Sequence, residues 1–386
     1  MQQGSEVQGT EIRVRPTKAI VDLGAITFNI KSLKRHVGSG PLFMAVVKAD
    51  AYGHGIVPVA KTAIKAGADW LGVAMLEEAI LLRSAGIESP ILVLGEAVPQ
   101  GAGLFVENNI TATVCSAETL DAMNEAAESS GTKAAVHIKV DTGMGRIGLS
   151  PEEVLPFVER TRSLRNVYLE GIFSHFAAAD EEDKGYAHKQ LEKFKDVLAT
   201  LEERGIRIPI RHLAGSAATI ELRESHFDMV RPGISIYGAY PSPEVDHSVP
   251  LKPAMAFVTA ITFLKEVSEG TAISYGRTFV TKRQSRIATL PVGYGDGYPR
   301  LLSNKGEVLV AGKRAPVVGR VCMDMTLIDV THIPEASLGS EVVLFGRQGD
   351  EEILVDEIAA KAGTISYEVL CNITNRVPKE YVNSSV

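Results

Sequence analysis

Lys48 closes the apolar run FMAVV and precedes the small, turn-prone segment ADAYGHG. Its amine would project from the end of a strand, either into a functional mouth or simply into solvent. In AAVHIKVD, residues 134–141, a period of two puts Val136, Ile138 and Val140 on one face and His137, Lys139 and Asp141 on the other. If the apolar face meets helices, the polar face looks inward, where a lysine and an aspartate are costly unless paired and hydrogen-bonded. A structural polar network and a reactive site are both open on this segment alone. His175 ends another apolar run, Ser216 opens the helical stretch SAATIELRE, and Arg231 and Gly233 lie within MVRPGI. A hydroxyl and helix N-terminal amides at the ends of the last strands of a barrel are the chemistry of a phosphate site.

Two other patterns lack the context that their chemistry needs. GMGRIG, residues 143–148, matches the dinucleotide G-x-G-x-x-G, but the next helix begins at the Ser150-Pro151-Glu152-Glu153 cap. The fingerprint needs glycines that open the helix. His54, His175 and His188 lack HExxH or comparable ligand spacing, so no metal site is expected.

Positioning these side chains requires a repeated scaffold. Between residues 43 and 234, eight runs rich in apolar and β-branched residues alternate with amphipathic stretches: FMAVVK, WLGVAM, PILVLGE, TATVC, AAVHIKVD, LEGIFSHF, IRHLAGS and MVRPGI. Ser116 can cap one intervening helix and Gly205 can stop another. Eight βα units predict an α/β fold with a closed, parallel, TIM-like barrel, an open doubly wound sheet being the alternative. Beyond the proline-rich stretch from Pro241 to Pro253, period-2 segments such as AMAFVTAITF, RIATLPV and EVVLFG, separated by GYGDGYP and GRQGDEE turns, predict a mainly β domain. The expected division is 1–17 as an N-terminal extension, 18–245 as the barrel and 246–386 as the β domain.

The 386 residues carry a formal net charge of −7, with 45% hydrophobic and 23% charged residues, as in an ordinary soluble globular protein. An acidic chain without a basic block has no electrostatic footprint for nucleic acid or an anionic membrane. MQQGSEVQGTEIRVRP has neither a basic n-region nor an apolar h-region, and no run approaches the ~18 apolar residues of a membrane span, so a cytoplasmic protein is expected. Cys115, Cys322 and Cys371 are few, odd in number and far apart. That points to core thiols rather than a disulfide framework or a CxxC site.

Taken together, AVVKADAYGHG, DTGMGRIG, GIFSHFAAAD, HLAGSAA, VRPGISIYG, ISYGRTF, LPVGYGDGYPR, GRVCMDM and ISYEVLCNITNRVP resemble the alanine racemases that use pyridoxal phosphate. The resemblance extends from residue 21 to about residue 381. It implies a βα barrel followed by a β domain, and a homodimer with shared active sites. The implied activity interconverts L- and D-alanine by two-base proton transfer and supplies D-alanine for bacterial peptidoglycan.

Position by position, Lys48 corresponds to the lysine that forms a Schiff base with the cofactor and acts as one acid/base group. Tyr275, in ISYGRTF, corresponds to the other, reaching the opposite face of the substrate from the partner subunit. Two opposed groups can remove a proton from one face of Cα and return one to the other, each contributing about 10²–10⁴ in rate. Arg231 matches the arginine on the pyridine nitrogen, a donor-only group that keeps that nitrogen unprotonated. His175 would orient Tyr275 or Arg231. Tyr52, Ser216, Gly233, Ile234 and Tyr367 match phosphate contacts, and Arg146 the residue that meets the substrate carboxylate. The backbone of Met323 and the side chains of Tyr294 and Tyr367 would border the substrate pocket from the other chain. Lys139 matches a lysine often carbamylated in the family, a change that would let it pair with Arg146. Gly215 stands where many relatives have asparagine, so one polar contact near the cofactor is absent or supplied otherwise. The rival readings are a broader racemase acting also on serine, a basic amino-acid decarboxylase, and a non-catalytic pyridoxal phosphate carrier. Decarboxylases of this group lack the SYG tyrosine, and the carriers stop after the barrel.

Overall fold

A computed structural model describes residues 14–384. The chain divides into two compact units, neither a single stretch of sequence. One comprises Val21–Met255, Ile365–Cys371 and the chain from Tyr381 onward; the other comprises the chain up to Ile20, Ala256–Thr364 and Asn372–Glu380. Ile365–Cys371 therefore packs with the barrel, although it lies far beyond the proline-rich linker.

After β1 (Lys18–Asp22) come the eight barrel strands: β2 (Leu42–Val46), β3 (Trp70–Val73), β4 (Ile91–Glu96), β5 (Thr111–Val114), β6 (Ala134–Lys139), β7 (Val167–Phe173), β8 (Ile210–His212) and β9 (Met229–Val230). They coincide with the eight apolar runs. Their order is β8-β7-β6-β5-β4-β3-β2-β9, every determined pair being parallel. Because β2 neighbours both β3 and β9, the first strand meets the last, as a barrel requires and an open doubly wound sheet does not. Backbone bonds from Asp228 N–H to the Arg211 carbonyl (3.0 Å) and from Arg231 N–H to the Ala214 carbonyl (2.9 Å) bring β8 and β9 close to closure. Met44, Trp70, Leu92 and Met229, one from each of four strands, fill an interior layer.

Local chemistry sets the helix ends. Ser116 caps the helix Ala117–Ser129 through the Thr119 N–H. Ser150 and Glu153 form a reciprocal capping box at the helix Pro151–Ser163, with the Ser150 N–H 2.8 Å from the Glu153 carboxylate. The glycines of GMGRIG thus lie wholly in the preceding loop.

The second unit is mainly β. Its strands are β10 (Met255–Ala260), β11 (Phe263–Val267), β12 (Ala272–Ile273), β13 (Phe279–Val280), β14 (Ser285–Leu290), β15 (Glu307–Val310), β16 (Lys313–Pro316), β17 (Thr326–Asp329), β18 (Glu341–Gln348), β19 (Glu351–Ile353) and β20 (Lys379–Val382). One sheet runs β16-β15-β18-β10-β1-β20, with β19 on β18; a second runs β11-β14-β17; β12 and β13 form a hairpin-like pair. Ile273, Ile287 and Val318 form a local core against Val267, Phe279 and Leu327.

The cysteines correct the expectation of core thiols. All three are free and none is fully buried: Cys115 and Cys322 are partly exposed, and Cys371 is exposed. Two of them sit at the ends of elements and Cys322 lies in the irregular segment between β16 and β17. Cys115 follows β5 and donates to the Glu96 carboxylate, and Cys371 ends the helix Ser366–Cys371. No helix among the described residues is long and apolar enough to cross a membrane.

Candidate active site

A cavity of about 540 Å³ opens where the barrel strands end, and every residue lining it belongs to the barrel unit. Its walls bring together Lys48, Tyr52, Lys139, Arg146, His175, Ser216, Arg231, Gly233, Ile234 and Tyr367. Two of these are arginines and two are lysines, and among the described residues no carboxylate lines the cavity. Such a wall favours an anionic occupant.

Lys48 opens a turn of left-handed helix: Ala49, Asp50, Ala51 and Tyr52 all have φ between 51° and 55°. Without glycine this costs roughly 1–2 kcal/mol per residue, so the surroundings must hold it. Glu78 accepts the Ala49 N–H at 2.6 Å, and Asp50 accepts the Ile56 N–H at 2.8 Å. The buried His54 ring donates through Nδ1 to the carbonyls of Ala51 (3.1 Å) and Tyr52 (2.9 Å). Tyr237 packs, tilted, against both Tyr52 and His54 and donates to the Val46 carbonyl at 3.0 Å. The turn carries Tyr52 to Gly233, where an added Cβ would come 2.5 Å from the Tyr52 hydroxyl. Beside it, Ser216 Oγ accepts the N–H of Gly233 at 2.8 Å and of Ser235 at 3.4 Å, which leaves the hydroxyl proton free to donate. Burial, then the Arg146 charge, holds the Lys48 amine below the ordinary lysine range, against an opposing pull from Glu78.

Arg231 is a buried cation whose partners are all neutral. Its Nη1 donates to His212 Nδ1 at 2.9 Å, and its Nη2 to the carbonyls of Ser174 (2.9 Å) and Leu213 (3.1 Å) and to His175 Nδ1 at 3.3 Å. Burial brings it down to about 9, still charged at neutral pH. His175 is pushed well below its usual range by burial and then by Arg231 and Lys139, so its ring is neutral. As the sequence period implies, His137 and Lys139 face inward, His137 against Trp70 and His212, and Lys139 over the Phe173 ring at 4.4 Å. Asp141 departs from the expectation, because β6 ends at Lys139 and its half-buried carboxylate turns to the following loop. Burial, reinforced by Arg231 and Arg146, drives the Lys139 amine far below its normal range. Gly215 leaves room for His175: a Cβ there would lie 3.3 Å from its Cε1, so an asparagine would press on that ring.

Arg146 is carried on a loop pinned at both ends, with the Leu149 N–H on the Lys139 carbonyl (2.9 Å) and the Asp141 N–H on the Leu149 carbonyl (2.8 Å). The Asp141 carboxylate gathers the N–H groups of Gly143, Met144 and Gly145. At Gly148 (φ 126°), a Cβ would fall 2.6 Å from the Asp141 nitrogen. The glycines serve this tight loop rather than a dinucleotide.

Tyr275, Tyr294 and Met323 lie in the β unit, where all three side chains are exposed. Tyr275 follows Ser274, held at φ 63°, ψ −177° by its hydroxyl on the Arg320 carbonyl (2.7 Å), a conformation that glycine alone adopts freely. The N–H groups of Tyr294 and Gly295 donate to the carbonyls of Cys322 (3.0 Å) and Met323 (2.9 Å), stitching GYGDGYP to GRVCMDM.

Residues 21–241 match the family model described as alanine racemase, N-terminal domain, and residues 254–381 the model for the C-terminal domain. An alanine racemase of Halothermothrix orenii is 52% identical over 96% of this chain and 97% of its own. The chain belongs to the alanine racemase family. Alanine racemase 2 of Caldanaerobacter subterraneus subsp. tengcongensis is 50% identical over 96% of this chain and 95% of its own. Among solved structures, an alanine racemase from Streptomyces lavendulae matches with a TM-score of 0.92 at 38% identity, covering 96% of this chain and 98% of that one. One from Bacillus anthracis with bound L-Ala-P matches at 0.90 and 42%, covering 96% of both. The activity is that of an isomerase that interconverts the enantiomers of alanine. In this alanine racemase fold the supporting residues Glu78, His54, Tyr237 and His212 escape a sequence reading. His54 stands inside AYGHG, two residues from Tyr52, and His212 opens HLAGSAA, which are usable signals; Glu78 carries none.

Proposed function

We propose that the chain racemises alanine by proton transfer between Lys48 and Tyr275 on opposite faces of the substrate, with pyridoxal phosphate held in the barrel cavity. The observation that carries this reading is the cavity wall itself: Lys48 beside the guanidinium groups of Arg146 and Arg231, with no lining carboxylate among the described residues, around about 540 Å³. That donor set fits an anionic ring compound bearing a phosphate, together with an amino acid carboxylate. Tyr52, Tyr367, the Ser216 hydroxyl and the backbone at Gly233 and Ile234 would hold the phosphate, and Arg231 the ring nitrogen. When bound, the cofactor supplies a conjugated, electron-withdrawing ring that acidifies the Cα–H of an attached amino acid.

The remaining work falls to the chain. The Lys48 amine, lowered by burial and by Arg146, is more often neutral than an ordinary lysine and can both bond to an aldehyde and accept a proton. Arg146 offers a cation to the substrate carboxylate. Arg231 can only donate, so it leaves the ring nitrogen without an added proton. His175, accepting from Arg231 at Nδ1, keeps its Nε2–H to donate to Tyr275. The exposure of Tyr275, Tyr294 and Met323 supports their serving the site of a partner copy. Lys139, a neutral amine, can add to carbon dioxide and release one proton, giving a carbamate that pairs with Arg146. The same reading takes the protein to be a cytoplasmic homodimer whose D-alanine feeds peptidoglycan.

Incubating L-alanine with the enzyme in heavy water should place deuterium at Cα of both enantiomers. Cofactor binding without exchange would refute the reaction. Mixing inactive Lys48→Ala and Tyr275→Ala chains should restore activity, because one site of each heterodimer receives both intact residues; heterodimers without activity would overturn the shared site.

A further inference from the structure

Behind Arg231 lies a line of side chains that the racemisation itself does not use. His212 Nδ1 is 2.9 Å from Arg231 Nη1, His212 Nε2 is 2.8 Å from His137 Nδ1, and His137 Nε2 is 3.4 Å from the Glu170 carboxylate. The Thr111 hydroxyl donates to that same carboxylate at 3.1 Å. The members come from β6, β7, β8 and the exit of β9, so only the closed barrel brings them together.

Their donor and acceptor roles admit one order. A guanidinium has no acceptor, so His212 Nδ1 must accept and be unprotonated. The neutral ring then carries its proton on Nε2 and donates to His137 Nδ1, which leaves the His137 proton on Nε2, a buried atom 3.4 Å from the Glu170 carboxylate and without a well-aligned hydrogen bond of its own. A cation stands at one end, an anion at the other, and two neutral rings lie between. Burial pushes both rings below the usual histidine range, which favours these neutral forms. The packing is built around them. Both rings are fully buried, Phe173 stacks on His212 at 4.7 Å and 7°, and a Cβ on Gly171 would fall 2.6 Å from the His137 ring. Among the described residues no carboxylate lies within ion-pair distance of Arg231, so Glu170 is the anion to which its charge is connected.

We propose that Glu170 is a positioning residue that acts through His137 and His212 to fix the orientation and donor state of Arg231 toward the ring nitrogen of the cofactor. The role toward that nitrogen rests on the function proposed above; the order of protons along the line does not. Glu170→Gln should therefore alter the electronics of the site without touching substrate.

The test begins with cofactor-free protein carrying ¹⁵N-labelled histidine. Long-range proton–nitrogen spectra should show both His137 and His212 protonated at Nε2 and bare at Nδ1. A proton on His212 Nδ1 would overturn the proposal, even if no variant folds. In Glu170→Gln, whose amide can donate as well as accept, the His137 tautomer should become mixed while Tm stays near that of the parent. In the loaded enzyme the ratio of transamination to racemisation should rise about tenfold, the scale on which outer partners tune a bound group. Unchanged tautomers and an unchanged ratio would remove Glu170 from the line. Altered tautomers with an unchanged ratio would refute the link to the cofactor. Failure of the heavy-water exchange, by contrast, would count against the racemase reading and leave the proton order standing.

Discussion

Gly171→Ala tests whether the His137 ring occupies the place of a missing side chain. The new methyl carbon would sit 2.6 Å from Cε1 and Nδ1 of that ring and 2.8 Å from Nε2. The ring has no space to retreat into, with Trp70 at 5.6 Å, His212 at 5.0 Å and Phe173 at 6.4 Å between centroids. Overpacking of this kind costs about 1–3 kcal/mol. Displacing the ring also breaks the buried bond to His212, which adds about 1–3 kcal/mol. At roughly 2–4 °C per kcal/mol for a unit of this size, Tm should fall by at least ~4 °C. Calorimetry of cofactor-free protein reads the shift. Gly103→Ala is the control: it lies in the helix Ala102–Glu107 with nothing within 4 Å of its added carbon, so it should hold Tm or raise it slightly. A drop smaller than ~2 °C for Gly171→Ala would refute the packing argument, as would an equal drop for both variants.

Three further outcomes follow from the polar groups. Burial raises the Asp141 carboxyl, but the N–H groups of Gly143, Gly145 and Met144 outweigh it and leave it below the usual carboxylate range. Its stabilisation is thus present above its unfolded value, about 3.9, and lost as pH falls through the folded value; urea unfolding at several acidic pH values should show this slope disappear in Asp141→Asn. Lys139 has the opposite sense: its folded value lies far below the unfolded one, so protonation favours the unfolded chain and stability declines as pH falls between the two. With carbon dioxide excluded, Lys139→Met should flatten that slope and raise the urea midpoint at neutral pH. Glu78→Ala removes the acceptor for the N–H groups of Ala49, Ala74 and Met75, which should cost about 1.5–3 kcal/mol in urea unfolding. It should also loosen Lys48, seen as faster proteolysis or amide exchange at 48–53; unchanged exchange would count against it.

The eight barrel strands were legible because each is a short apolar run bounded by turn-formers, a signal local to the chain. The inward placement of His137 and Lys139 was legible for a related reason: an alternating strand has only two faces, and the apolar one had to meet helices. Lys48, Arg231 and Ser216 stood out by their places at strand ends, and the motifs around them carried the family resemblance. The core-thiol reading failed at Cys371 because composition reports how often a residue type is buried, not whether its element ends beside a cavity.

Other features belong to the tertiary structure alone. Nothing in the string ADAY asks for four left-handed residues in a row; aspartate tolerates that conformation but alanine and tyrosine resist it, and it exists because Glu78, His54 and Tyr237 hold it. The protonation order behind Arg231 likewise depends on Glu170, His137 and His212, spread over 75 residues of chain and meeting only when the barrel closes. A local pattern can specify which face a residue takes, since that follows from backbone geometry. Which neighbour supplies its proton depends on distances of ~3 Å between strands remote in sequence, and hydrogen bonding is steep in distance.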